Sequence, residues 1–389
     1  MLALQKAGIP VDRYVAYEID KYAIQTSKHN FPMIEQMGDV FNADFTQYEG
    51  FDGVIGGSPC TFWSIAQKNN RETEASGMGW ELFSQYVRAI HEVKPKFFIY
   101  ENNKSMSKQI RASIDEAFGF EAVCINSARV SAQNRQRLYW VGIRNADGTY
   151  SKVSVEQPED LGILLKDVLD GGYDLTGNDK SYCLTASYDG ACPWNTIERN
   201  QRSMVAEPVR IPDYGIDDKS RPVSASYAHK GSGEGSLSCD AFPDNPNKQV
   251  FDYVAEPVRV GALPRPNGEL STSQAFRVYS VDGKSVNITA GGGGAGGKTG
   301  LYAIPTDKPI YEVKDGMITI KGKQYPIKLV DGYYIIRKLT VTECMRLQTV
   351  PEWYTWPVSD TQAYKMLGNG WTVDVIVHLL KSVLKEVEG

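Results

Sequence analysis

FDGVIGGSPC, residues 51 to 60, decides the fold. A run of β-forming residues ends in small residues and a cysteine. The helix-length stretch WELFSQYVRAIHEV (80–93) then separates it from a second such run, KFFIYE (96–101). Strand, helix and strand in that order return the chain to a parallel neighbour in one sheet. The rhythm holds on both sides. Further strands are expected at RYVAYEI (13–19), IEQMGD (34–39), FEAVCI (120–125) and RLYWVGI (137–143), with helices at KYAIQTSKHN (21–30) and SKQIRASIDEAF (107–118). This predicts an α/β fold built on a doubly wound parallel sheet with helices on its faces.

The chain has 389 residues, more than one average domain, and its 42% hydrophobic and 23% charged content is that of an ordinary globular protein. No apolar run reaches membrane-spanning length, and MLALQKAGIPVDRY lacks a basic leader and a cleavage site, so no membrane partner and a cytoplasmic location are expected. The six cysteines form no C-x-x-C pair and only four histidines accompany them, which argues against a metal site or a disulfide framework. A net charge of -5 excludes a non-specific nucleic-acid coat. Any nucleic-acid site must be a local basic cleft.

From about residue 145 to 336 the chain is rich in Gly, Pro, Asp and Ser between short β-type runs, and it returns to helix at TVTECMRLQ (340–348) and VDVIVHLLKSVLKEV (373–387). The β-rich module repeats itself. VAEPVR occurs at 205–210 and 254–259, and a second unit occurs three times, as DKSYCLTASYDG from Asp179, DKSRPVSASYAHKG from Asp218 and GKSVNITAGGGG from Gly283. The third copy runs into GGGGAGGKTG (291–300), which matches the phosphate-binding pattern from Gly292 to Thr299. That pattern needs a helix at its Lys-Thr pair, whereas GLYAIPTDKPIYEV reads as β structure, and the two sister copies carry no Gly-Lys-Thr. A nucleotide hydrolase is therefore the weakest reading. Lys180, Lys219, Lys284 and Arg277 are expected either to gather on one face for phosphate contact or to be ordinary solvated side chains.

Ligands of an open parallel sheet sit at the carboxyl ends of its strands. RYVAYEI ends in Glu18 and continues to Asp20, acids suited to ribose hydroxyls, or equally to a helix cap at Asp20 beside a solvated Glu18. The next strand ends at Asp39-Val40, a carboxylate and an apolar side chain suited to an adenine. FDGVIGG delivers Ser58-Pro59-Cys60, and KFFIYE delivers Glu101-Asn102. Cys60 alone could be a small buried hydrophobe and Glu101 a structural carboxylate, but together at neighbouring strand ends they suggest a thiolate nucleophile assisted by an acid.

These residues, with Ser64, Gln133-x-Arg135-x-Arg137, RKLTVTECMRLQTVP (337–351) and LGNGWTVDVI (367–376), resemble the ordered motifs of the cytosine-5 DNA methyltransferase family. YEIDKYAIQTSKHNFP and GDV are similar to its second and third motifs, and the Trp371 form of the last motif is nearest the de novo and phage branch. The resemblance implies a Rossmann-like, S-adenosylmethionine-dependent catalytic domain (1–144 and 337–389) with a β-rich target-recognition domain inserted at 145–336. It implies Cys60 as nucleophile on C6 of a flipped cytosine, Glu101 as acid partner at N3, and Gln133, Arg135 and Arg137 as supports. It places S-adenosyl-L-methionine across Glu18, Ile19, Asp39, Val40, Pro59 and Trp371, with Asn369 shaping the turn before Trp371. Double-stranded DNA is the implied substrate, a cognate restriction enzyme a candidate partner, and a monomer the expected state. The family's first cofactor motif would end just before ALQKAGI, so that motif is expected to be missing from the chain as it stands, and Asn103 replaces the usual Val. Two alternatives follow: a catalytically impaired DNA-binding relative, and an RNA cytosine-5 methyltransferase.

Overall fold

The computed structural model describes residues 1–59, 62–64, 71–209, 259–262, 277–280, 301–303 and 309–388. Helix Leu2–Lys6 (α1) precedes strand Val15–Ala16 (β1), and helix Lys21–Asn30 (α2) leads to Glu35–Gln36 (β2). Then follow Gly53–Gly56 (β3), Gly77–Val93 (α3), Phe97–Asn103 (β4), Lys108–Phe118 (α4), Val123–Asn126 (β5), Gln136–Arg144 (β6) and Tyr150–Lys152 (β7). Each strand and helix expected before residue 144 is present. Their ends obey local chemistry: α4 starts where the Ser107 hydroxyl accepts from Ile110 N–H, and stops at Gly119, whose φ of 79° suits glycine.

The sheet departs from the all-parallel expectation. β3 and β4 are parallel, with Gly53 opposite Phe97 and Gly56 opposite Tyr100. β6 runs antiparallel to β4, and β5 and β7 run antiparallel to β6. The cause lies in residues 127–135, a connection too short for the crossover that a parallel pair requires. β1 and β2 pair in parallel in a separate two-stranded sheet, Val15 opposite Glu35 and Ala16 opposite Gln36. They are shorter than expected because carboxylate-held turns at Glu18, Asp20 and Asp39 follow at once.

Alternation along β4 divides the core between two faces of the sheet. Phe98 and Tyr100 pack with Phe83 and Ile90 of α3 and with Ile110, Ile114 and Phe118 of α4. Ile99 points the other way, into a cluster with Ile125, Tyr139, Val141 and the carboxyl-terminal Val375, Ile376, Leu379, Leu380 and Val383. Helices thus cover both faces of the larger sheet.

The later elements are Tyr173–Asp174 (β8), Pro193–Arg199 (α5), Met204–Val209 (β9), Arg259–Ala262 (β10), Arg277–Ser280 (β11), Leu301–Ala303 (β12), Ile310–Lys314 (β13), Met317–Ile320 (β14), Lys323–Pro326 (β15), Gly332–Lys338 (β16), Val341–Leu347 (α6), Asp360–Asn369 (α7) and Val373–Glu388 (α8). A six-stranded sheet has the order β15-β14-β13-β16-β9-β8, and β10-β11-β12 form a three-stranded one. The chain falls into two compact units, Met1–Pro208 with Tyr311–Gly389, and Val209–Ile310. Among the described residues no helix is long and apolar enough to cross a membrane.

Short α5, opened by Pro193, was hidden in a stretch without helical period. All of GGGGAGGKTG lies outside the described residues, as do Lys219 and Lys284, but strand β12 follows directly where a phosphate-binding loop requires a helix. Lys180 is not a phosphate contact. Its ammonium donates to the carbonyls of Ala128, Ser131 and Ile163, tying the first repeat copy to the catalytic sheet.

Candidate active site

Glu101 stands near the end of β4, 8% exposed. Arg137, on β6 opposite Asn103, places its Nε 3.0 Å from Glu101 Oε1, and the Trp371 indole donates to Oε2 at 2.9 Å. Burial pushes the carboxyl above its ordinary range, opposed by the nearby Arg137 and Arg135 charges and by the Trp371 bond. Burial prevails. The result is a fixed carboxyl that holds its proton more readily than one in water, the property an acid catalyst needs near neutral pH. Gly57 permits the close approach of β3 to this group, since a Cβ there would lie 2.5 Å from the Glu101 carbonyl oxygen.

The neighbouring strand end is tied to the same spot. Asn102, fully buried, donates from Nδ2 to the Ser58 carbonyl and hydroxyl at 3.2 Å, and the Ser58 and Tyr100 hydroxyls share a bond of 2.6 Å. Asn102 therefore fixes the backbone two residues before Cys60. Cys60 itself lies outside the described residues. Beside Arg137 opens a cavity of about 410 Å³ lined also by Asn103, Lys104, Ser105 and Gln136.

Gln133 and Arg135 do a different job from Arg137. Gln133 is completely buried; its Oε1 accepts from Leu184 N–H at 2.9 Å and its Nε2 donates to the Leu347 carbonyl at 3.1 Å. Arg135, 3% exposed, donates to the carbonyls of Leu184 (2.9 Å), Gly368 (3.1 Å) and Gly370 (2.8 Å). Both hold backbone rather than facing the cavity. Three segments distant in sequence meet here: the Gln-x-Arg-x-Arg strand, the first repeat copy at Ser181–Ser187, and the turn before Trp371. Contact is close enough that a Cβ on Gly368 would fall 2.1 Å from the Thr185 carbonyl carbon. Cys183, which the sequence reading left unassigned, accepts from Arg135 Nη1 at 3.4 Å and Arg137 Nη2 at 3.8 Å. Only its place in the repeat could have drawn notice to it.

Arg135→Ala leaves the Gly368 carbonyl without a donor, while Gly370 keeps Gln348 Nε2 at 3.3 Å and Leu184 keeps the Cys183 thiol at 3.4 Å. An unmade buried bond costs about 1–3 kcal/mol, so a loss of about 2–3 kcal/mol in urea unfolding is expected. A loss below about 1 kcal/mol would sink this account of Arg135.

The separate two-stranded sheet carries the acids expected to meet a nucleoside. Glu18 and Asp39 follow the adjacent parallel strands β1 and β2. Glu18 Oε1 accepts from the Ile19 and Asp20 N–H groups at 2.8 Å, while Asp39 Oδ1 accepts from Phe41 N–H at 3.0 Å. Asp20 is a cap: Oδ1 receives the Tyr22 N–H at the start of α2 and Oδ2 pairs with Lys365 at 2.7 Å, which holds its carboxyl below the usual range. Ile19 is 75% exposed, Val40 half-buried and Pro59 exposed. Carboxylates with solvent-facing apolar side chains at two neighbouring strand ends fit a ribose and an adenine. Asn369 is exposed at the end of α7, next to the turn that Arg135 grips.

A family model described as C-5 cytosine-specific DNA methylase matches residues 1–385. The orphan methyltransferase M.SPRI of Bacillus phage SPR is 23% identical over 98% of this chain and 94% of its own length. The type II methyltransferase M.HhaI of Haemophilus parahaemolyticus is 22% identical over 98% and 90%. Among solved structures, a methyltransferase of Entamoeba histolytica, EhMeth, superposes with a TM-score of 0.51 at 10% identity, covering 100% of this chain and 94% of that one.

Proposed function

We propose, from the premise that this chain belongs to the C-5 cytosine-specific DNA methylase family and is a DNA cytosine-5 methyltransferase, that it methylates a flipped cytosine through a covalent bond from Cys60 to C6. The Cys60 thiolate adds at C6 while Glu101 gives its proton, or a hydrogen bond, to N3, so that electron density collects at C5. Bound S-adenosylmethionine supplies the methyl group that C5 takes up. Loss of the C5 proton to a base then expels the thiolate and restores the ring. The target atom is out of reach inside a duplex, so the base must leave the stack. The cavity lined by Arg137, the residue that pairs with Glu101, is read as the place where it would sit. Glu18, Ile19, Asp39, Val40, Pro59 and Trp371 are the residues that would hold the donor.

The observation that carries this reading is the buried Glu101 clasped by Arg137 and Trp371, with burial pushing its carboxyl upward. Residues 145–336 are read as the target-recognition domain, the working unit as a monomer in the cytoplasm, and a cognate restriction enzyme as an optional companion. The test is transfer of labelled methyl from S-adenosylmethionine to mixed-sequence duplex DNA, with duplex RNA and a folded transfer RNA alongside. Label is expected on C5 of DNA cytosines and at least tenfold less on either RNA, a margin of about 1.4 kcal/mol. Equal or greater labelling of RNA would transfer the proposal to RNA.

A further inference from the structure

The segment that leaves β3 with Pro59-Cys60 and arrives at α3 is closed at its base. Glu72 N–H donates to the Phe62 carbonyl at 2.9 Å. Arg71 donates from Nε to the Trp63 carbonyl at 3.2 Å and from Nη2 to the Ser105 carbonyl at 2.7 Å. The Glu72 carboxylate receives the Trp63 indole N–H at 3.0 Å and, through both oxygens, the Gly79 N–H at 3.2 Å. Ser76 makes no side-chain cap to α3, so Glu72 supplies the missing acceptor at its first turn. Trp63 has no exposed surface and packs among Phe83, Phe98 and Tyr100.

The glycines confirm how tightly this is drawn. A Cβ on Gly79 would lie 2.5 Å from Trp63 Nε1 and 2.6 Å from Glu72 Oε2, and one on Gly77 would lie 2.5 Å from Glu72 Oε1. The clasp also reaches the end of β4. Ser105 Oγ donates to Asn103 Oδ1 at 2.7 Å, Asn103 N–H to Asn102 Oδ1 at 2.8 Å, and Asn102 to Ser58. Backbone two residues before Cys60 and three residues after it is thus tied to the strand that carries Glu101.

We infer that Glu72 is a positioning residue for the Cys60 nucleophile: by bridging Trp63 to the start of α3 it fixes the far side of the cysteine as Asn102 fixes the near side. The inference rests on the reading of Cys60 given above. A thiol and an acid must hold a mutual geometry to within a fraction of an ångström, and a misplacement of about 1 Å costs on the order of 100-fold in rate. Nothing in the clasp touches the reacting atoms, so its loss should slow chemistry without weakening the hold on DNA.

The test uses a duplex containing 5-fluorocytosine, which cannot lose its C5 substituent and so holds the enzyme as a covalent adduct when S-adenosylmethionine is present. Adduct rate, duplex affinity, thermal midpoint and tryptic cleavage after Arg71 are measured for the full chain. Glu72→Ala is expected to slow adduct formation by on the order of 100-fold and to speed cleavage at Arg71. Duplex affinity should stay within about threefold and the midpoint within about 4 °C, the shift that two unmade bonds produce in a chain of this size. Glu72→Gln, which retains an oxygen for the indole, should lose no more than about tenfold, and Trp63→Phe, which keeps the ring and removes the N–H, should fall between them. A wild-type adduct rate in Glu72→Ala overturns the inference, as does a rate loss matched by equal losses of affinity and midpoint. A wild-type chain that forms no adduct overturns the nucleophile and the positioning role together; tryptic protection of Arg71 would then show whether the clasp survives as structure alone.

Discussion

Cys60→Ala is expected to reduce methyl transfer by about 10⁴-fold or more, the scale on which removal of a covalent nucleophile acts. No other side chain at the neighbouring strand ends can replace the thiol: Ser58 is engaged with Tyr100 and Asn102, and Cys183 is held by the two arginines. Duplex affinity should be kept, because phosphate contacts dominate it and a thiol contributes none. Adduct formation with 5-fluorocytosine DNA should vanish. A variant that retains more than about one per cent of the wild-type rate, assayed with labelled S-adenosylmethionine, would remove Cys60 from the mechanism.

Glu101→Gln is expected to lower kcat by about 10²–10⁴-fold with little change in KM, the usual range for a general acid. The amide keeps an oxygen for the Trp371 indole, so the site's shape is preserved while its proton is lost. A pH profile gives the sharper test. Wild-type kcat/KM should decline as pH rises through the elevated pKa of Glu101, and that limb should be missing in the variant. Wild-type stability should fall over the same window. A carboxyl whose pKa is raised by folding adds stability that is complete below its unfolded pKa and is lost as pH rises through the folded one. Glutamine imitates the protonated form, so in urea titrations Glu101→Gln should gain on the wild type above that window and match it below. An equal deficit at both ends would mean that Glu101 is an ordinary structural carboxylate.

The local layers of this fold are legible in the chain. The strand that leads to Ser58, the strand that carries Glu101, the cap at Asp20 and the helices at 77–93 and 108–118 follow from short-range patterns, because periodicity and capping are short-range physics. Strand direction was less so: the antiparallel β6 follows from the length of the connection after β5, a signal that a search for alternating strands and helices passes over. The division of labour among the family motifs was not legible at all. Gln133, Arg135 and Arg137 stand at alternate positions, yet the first two clamp distant backbone and only the third meets Glu101. Trp371 places its indole on Glu101, a contact that no local pattern encodes. The seven-residue α5 and the ten-residue α7 lacked periodic signals and emerged only from packing.

Glu101 and the indole that grips it stand 270 positions apart in the chain, and Arg135 reaches 235 positions to the carbonyl of Gly370. A ribosome adding about 5–20 residues per second therefore takes roughly 15–50 seconds to supply Trp371 after Glu101 has been made. Through that interval the acid has its strand but neither its indole partner nor the turn that Arg135 fastens. A chain broken before the last turn therefore lacks both contacts, leaving Glu101 without its indole and Arg135 without the Gly370 carbonyl.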